Sequence, residues 1–152
     1  MTARYWDDYT LGEVFETEPV TVSQESIIAF AEKYDPQIFH TDPKAAKDSF
    51  YGGLIASGHQ TIGLAFAQFV RLGLFGENGL GGPGMDDIQW SAPVRPGDTL
   101  HTSAEIVELR ASKSRTDRGI VRICLSTRVG DQEVSRYVTT TFVRCRPTEG
   151  AE

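Results

Sequence analysis

The run from Ile62 to Leu72 constrains this chain more than any other, because eight of its eleven residues are apolar without counting glycine. The spacing predicts a helix from about Gly58 to Leu72. A helix that is apolar on nearly every side must be enclosed by other structure. Lipid is the wrong enclosure: Ser49 to Val70 carries no Asp, Glu, Lys or Arg, yet Gly52, Gly53, His59, Gln60, Thr61 and Gln68 interrupt it. That stretch is too polar to span a bilayer. The enclosing material is therefore the rest of the chain.

Most of that rest reads as β-structure. Val14 to Val22 alternates loosely and predicts a first strand, and Ile88 to Trp90 a short one. Leu100 to Leu109, Ile120 to Val129 and Val134 to Cys145 follow as longer strands, the last two joined by a turn at Gly130-Asp131-Gln132-Glu133. Val121, Ile123, Leu125, Thr127 and Val129 fall on one face of their strand; Arg122, Cys124, Ser126 and Arg128 fall on the other. Ser23 is placed to cap a helix carrying Ile27, Phe30, Ala31 and Tyr34, and Asp42-Pro43 to start a short one over about Pro43 to Lys47. Gly73 to Met85, with six glycines and a proline, predicts a mobile or irregular loop. The expected fold is α+β: one antiparallel sheet of about five strands wrapped around one long buried helix. At 152 residues the chain fits a single domain over 1–152, with a C-terminal tail over about 147–152 expected to be flexible.

Composition excludes several classes of function. Two cysteines, Cys124 and Cys145, cannot build a disulfide scaffold or a cysteine-based zinc site, and they predict a reducing, cytoplasmic setting. Met1 to Asp8 has no apolar core of the kind a secretory signal carries. The net charge of −6 argues against a nucleic-acid partner. That average hides an asymmetry, since residues 1–109 sum to −10 and residues 110–152 to +4. The basic part reads first as solvated strand faces and second as a landing zone for a small, multiply phosphorylated ligand.

Several motifs fail on context. Gly79-Leu80-Gly81-Gly82-Pro83-Gly84 fits G-x-G-x-x-G in form, but it follows a helix and leads into a strand, the reverse of a dinucleotide site. His40 and His59 have no partner at metal-ligand spacing, and His101 opens a strand as a surface residue. No serine sits in a G-x-S-x-G elbow.

The segment Tyr34-Asp35-Pro36-Gln37-Ile38-Phe39-His40-Thr41-Asp42-Pro43 is different. It puts Asp35 at a helix end and His40 just ahead of another helix. A tight connection there can turn carboxylate and imidazole toward one water. Such a pair can take a proton from water and return one to carbon, which hydration of a double bond requires. The same spacing also suits a plain Asp-Pro turn beside a helix-flanking histidine. Downstream, Ser57, Gly58 and His59 open the apolar helix. Its first amides lack internal partners and suit a carbonyl oxygen that becomes an enolate.

These residues resemble the MaoC-like dehydratase family, the (R)-specific enoyl-CoA hydratase or hydratase-2 group. Its motif reads Gly-Asp-x-Asn-Pro-x-His, then one residue and an aspartate, and later a His-Gly pair entering the central helix. Asp35, His40 and Asp42 stand in register, Ala45 and Ala46 sit in the short helix, and Gly58 follows His40 by eighteen residues. Trp90 to Leu100 contains Pro93-Val94-Arg95-Pro96-Gly97-Asp98-Thr99, where the family has its Pro-Val-x-Pro-Gly-Asp-Thr turn. The resemblance covers nearly the whole chain. It implies the hotdog fold, a homodimer with the acyl tunnel near its interface, and reversible hydration of a trans-2-enoyl-CoA or dehydration of a 3-hydroxyacyl-CoA, as part of fatty acid metabolism. Asp35 and His40 would be the catalytic pair, the Gly58 amide would polarise the thioester carbonyl, and Ser57 and His59 would lie against substrate. The expected partner is an acyl-CoA or acyl-carrier thioester, with no cofactor beyond the coenzyme A of the substrate, no metal, no nucleic acid and no membrane. Five positions depart from the pattern, Ser57 standing where the His of the His-Gly pair sits. Tyr34, Gln37 and Ile38 replace the motif's glycine, asparagine and proline, and Phe66 falls where one branch has a serine near the substrate. The altered positions keep two other readings open: a hotdog acyl-CoA thioesterase, and an acyl-thioester binding module without turnover.

Overall fold

The computed structural model describes residues 2–148. The chain begins with a 3-10 turn at Trp6–Asp8, then strands β1 (Val14–Glu16) and β2 (Val20–Thr21), and helices α1 (Gln24–Tyr34), α2 (Ile38–Thr41), α3 (Pro43–Ala46) and α4 (Gly58–Arg71). Another 3-10 turn, Gly76–Asn78, leads to strands β3 (Gly84–Trp90), β4 (Thr99–Ala111), β5 (Arg118–Val129) and β6 (Gln132–Arg144). All pairings are antiparallel, in the order β1-β4-β5-β6-β3, with β2 also on β4. This is the expected α+β architecture with six strands instead of about five.

The extra strand comes from a break in the first one. Glu16 stands opposite Ser103 and Val20 opposite Leu100, so one residue more is used on the N-terminal side than on β4. That excess is a bulge. Pro19 lies inside it and has no N–H to give to the ladder.

The sheet curls around α4. Thr61, Ala65 and Phe69 form the most deeply buried stripe of the helix. Ala65 and Phe69 meet Ala104, Ile106, Val121, Ile123, Leu125 and Tyr137 from the three long strands, and the Tyr137 hydroxyl donates to the Ile62 carbonyl at 3.1 Å. The predicted inward face of β5 is buried at Val121, Ile123, Leu125 and Thr127. Coverage of α4 is one-sided: Gly63 and Val70 remain exposed. In α1, Ser23 caps as expected by accepting from the Ser26 amide, but Ile27 and Ala31 alone are buried. Phe30 and Tyr34 stack on each other at the surface with ring centroids 5.0 Å apart.

The glycine-rich segment after α4 differs from the expected loop. Phe142 donates to the Gly81 carbonyl and Leu80 to the Phe142 carbonyl, both at 2.8 Å, so the segment lies along β6 in line with β3. Gly82 passes so close that a Cβ there would sit 1.7 Å from the Thr140 carbonyl oxygen. The glycines permit close approach of two backbones instead of mobility. Both cysteines are free. No helix among the described residues is long and apolar enough to cross a membrane. Pro147 and Thr148 belong to no helix or strand, and the last four residues of the expected tail, 149–152, lie outside the described residues.

Candidate active site

Pro36 disfavours helical backbone at the residue before it, so α1 ends at Tyr34 and Asp35 caps it, its N–H bonded to the Ala31 carbonyl. The chain turns within two residues, with Gln37 N–H donating to the Asp35 carbonyl at 2.8 Å, and enters the single turn of α2. That turn carries His40 inward, where it is almost fully buried. Pairing of Ile55 N–H with the Phe39 carbonyl brings the approach to α4 alongside. Ser57 then caps α4, its hydroxyl accepting from the His59 amide at 3.3 Å.

These three local structures converge on one carboxylate. Asp35 Oδ2 accepts from the Ser57 hydroxyl at 2.7 Å and lies 3.2 Å from His40 Nε2, while Oδ1 accepts from the Gln37 amide at 2.7 Å. Burial pushes the Asp35 carboxyl up. The Ser57 and Gln37 hydrogen bonds, with the nearby His40 and His59 imidazoles, outweigh it, and the pKa lies below the usual carboxylate value. His40 Nδ1 stands 2.7 Å from the Ile55 carbonyl oxygen. A carbonyl can only accept, so Nδ1 carries hydrogen and Nε2 is the nitrogen free to exchange a proton. Oδ2 of the carboxylate and Nε2 of the imidazole thus face each other directly, 3.2 Å apart.

A cavity of about 520 Å³ opens over this pair. Its lining includes Gly58, His59, Thr61 and Trp90 beside Asp35 and His40. The indole of Trp90 lies across Gly58 and donates from Nε1 to the Gly58 carbonyl at 3.0 Å, and a Cβ on Gly58 would come within 2.4 Å of the ring. Glycine leaves the room in which the ring lies against the helix. The Gly58 N–H has no acceptor among the described residues.

The structure therefore brings together Asp35, His40, Ser57, Gly58 and His59, all five residues singled out by sequence. It corrects the expectation for Phe66, which lies away from this cavity and packs with Phe69 and Phe75 against the main core. Beyond the first two residues of α4, Gly58 and His59, the helix lines the cavity with Thr61. Tyr34 is 70% exposed and Ile38 faces outward, so neither departure enters the site. Gln37, noted only as a departure, is a direct partner of Asp35. Its signal was available in the Asp-Pro-Gln spacing, where a fixed turn puts residues 35 and 37 on one side. Trp90 had no comparable signal, because its place over Gly58 depends on strand pairing. In the basic C-terminal segment several cations are paired with carboxylates: Arg122 with Glu108 and Asp86, Arg136 with Glu133, Arg118 with Asp117 and Arg146 with Asp8. None of its cations lines the cavity.

The family described as MaoC like domain matches residues 8–129. YdeM of Bacillus subtilis is 35% identical over 121 residues, covering 80% of this chain and 84% of that protein. The crystal structure of the MaoC-like dehydratase from Rhodospirillum rubrum superposes with a TM-score of 0.88 at 34% identity, covering 96% of this chain and all of that one. The (R)-hydratase from A. caviae involved in PHA biosynthesis has the same fold at 19% identity, with a TM-score of 0.72 over 88% of this chain and 96% of its own.

Proposed function

The chain belongs to the MaoC-like family, and from that premise we propose that it adds water reversibly to the 2,3 double bond of an enoyl thioester. The family and its (R)-hydratase neighbours support a hydratase or dehydratase role. The observation that carries the finer reading is the direct approach of Asp35 Oδ2 to His40 Nε2, 3.2 Å apart and both lining the cavity.

In the proposed hydration, ionised Asp35 takes a proton from water as the water oxygen bonds to C3. The π electrons move through C2 to the thioester oxygen, where the free Gly58 N–H and the amino end of α4 stabilise the enolate. The proton on His40 Nε2 goes to C2 as the carbonyl re-forms. Transfer of the proton from Asp35 to His40 across their direct contact restores the starting state. Ser57 and Gln37 hold both carboxylate oxygens in place. His59, beside the indole of Trp90, stands at the helix mouth against the bound acyl group. This chemistry needs only proton transfer and carbonyl polarisation by these groups, with coenzyme A or an acyl carrier as part of the substrate.

The proposed assembly is a homodimer. Every residue of β3 is exposed and its outer edge is unpaired among the described residues, with Met85, Ile88 and Trp90 contributing apolar surface. A second copy on that edge would lie beside Trp90, and so beside the cavity.

The test is loss of enoyl-thioester absorbance with trans-2-enoyl-CoAs of short linear, branched and carboxylated acyl groups, with free thiol measured in parallel. Turnover without thiol release, lost in Asp35→Asn and His40→Gln, is the expected result. Thiol release would point to a thioesterase, and binding without turnover to a module that has kept the pocket alone.

A further inference from the structure

Phe50 combines two properties that conflict unless something covers it. The residue is 97% exposed, the most exposed large apolar residue among the described residues, and it also lines the cavity over Asp35 and His40. Exposure here is not slackness of the loop. Ser49 donates to the Ala46 carbonyl, Tyr51 N–H to the Ser49 hydroxyl and Gly52 N–H to the Ser49 carbonyl. Arg95 Nη2 donates to the Tyr51 carbonyl at 2.6 Å. The backbone on both sides of Phe50 is held, and the ring is set outward at the cavity rim.

The ring also ends a series. His40 meets Phe39 at 4.6 Å between centroids, Phe39 meets Tyr51 at 5.1 Å, and Tyr51 meets Phe50 at 5.3 Å. Phe50 therefore lies at most about 15 Å from the catalytic imidazole. A thioester that reacts at His40 must leave the cavity through its pantetheine arm. That arm has a reach of roughly 15 Å, comparable to four extended residues of a peptide. It carries two amides, several methylenes and a geminal dimethyl group, and those apolar parts need a partner surface.

We propose that Phe50 is the rim contact for the pantetheine arm of the substrate, covered by its methylene and dimethyl groups when the thioester is bound. The inference rests on the thioester reading above. It applies equally to coenzyme A and to an acyl carrier protein, which share the arm. The contact sets how much of the handle the protein can recognise.

The experiment measures Kd by calorimetry for three saturated, unreactive ligands: butyryl-CoA, butyryl-pantetheine and butyryl-N-acetylcysteamine. Phe50→Ala is expected to raise the first two Kd values by about tenfold, the size expected for losing one or two methylene contacts. The N-acetylcysteamine thioester stops short of the rim, and its Kd should move less than twofold. Phe50→Tyr should restore tight binding. A loss confined to butyryl-CoA would place the nucleotide on Phe50 and overturn the assignment. So would equal Kd values for wild type and Phe50→Ala, or no binding of butyryl-pantetheine by wild type. Sedimentation of Phe50→Ala as a monomer beside a dimeric wild type would make the ring a subunit contact and overturn it as well. Turnover of enoyl-CoA by wild type is scored separately, so failure of the hydratase reading is distinct from failure of this one.

Discussion

In the proposed reaction the chemistry concentrates on Asp35, because two neutral donors and an imidazole are aimed at its two oxygens. Replacing it with Asn keeps the shape but removes the proton acceptor, so Asp35→Asn should lower kcat by about 10²–10⁴-fold with little rise in KM. Steady-state kinetics on the best enoyl-CoA checks this. Its lowered pKa also has a sign that can be tested. A carboxyl whose folded pKa is depressed stays ionised below its ordinary value, and what depends on its charge is lost as pH falls through the folded pKa. Ser57→Ala removes the donor 2.7 Å from Oδ2 and leaves burial less opposed. The Asp35 titration, followed by carbon-13 NMR of the carboxyl, should move to higher pH in that variant, and the acidic limb of kcat/KM should move with it.

At the scale of elements, two glycines serve opposite needs. Gly58 lets an aromatic ring lie on the first turn of α4. Gly58→Ala would push the Trp90 indole off the helix and open its 3.0 Å hydrogen bond to the Gly58 carbonyl. The expected outcome is a loss of kcat/KM of at least tenfold with a near-native melting temperature, since the indole is half exposed and can swing away. Gly82 lets one backbone lie against another. A side chain there meets the Thr140 carbonyl of β6 and cannot rotate away, so Gly82→Ala should destabilise by about 1–3 kcal/mol, the usual range for overpacking. Urea unfolding distinguishes the two cases. Ser57 joins both themes, because the hydroxyl that donates to Asp35 also caps α4; its removal should cost about 1 kcal/mol of stability besides the pKa effect.

For the whole molecule, the unfinished surfaces point one way. The sheet covers one side of α4, and β3 presents an open edge with both faces exposed. An open, partly apolar edge is a template for another strand. Asp87, held at a φ of 53° within the β3 irregularity, and Asp86, paired with Arg122, restrict how a second strand can approach. If a second copy pairs there, Ile88→Lys should convert a dimer into a monomer in sedimentation equilibrium. Because Trp90 ends the same strand, activity should fall with it.

By itself the sequence determined the local events. An apolar run made α4, alternation of Val121, Ile123, Leu125 and Thr127 with Arg122, Ser126 and Arg128 made β5, and Ser23 and Asp42 marked helix starts because their side chains can accept from the next free amides. Asp35 and His40 were singled out by their register with the family motif, since the turn at Pro36 by itself also suited a plain Asp-Pro turn beside a helix-flanking histidine. The tertiary structure decided everything that depends on distant pairing. It split the first strand at Pro19, laid the glycine segment along β6, set Trp90 on Gly58 and moved Phe66 out of the site. Those outcomes follow from which backbone groups meet across the sheet, and adjacent residues carry little record of a partner fifty positions away.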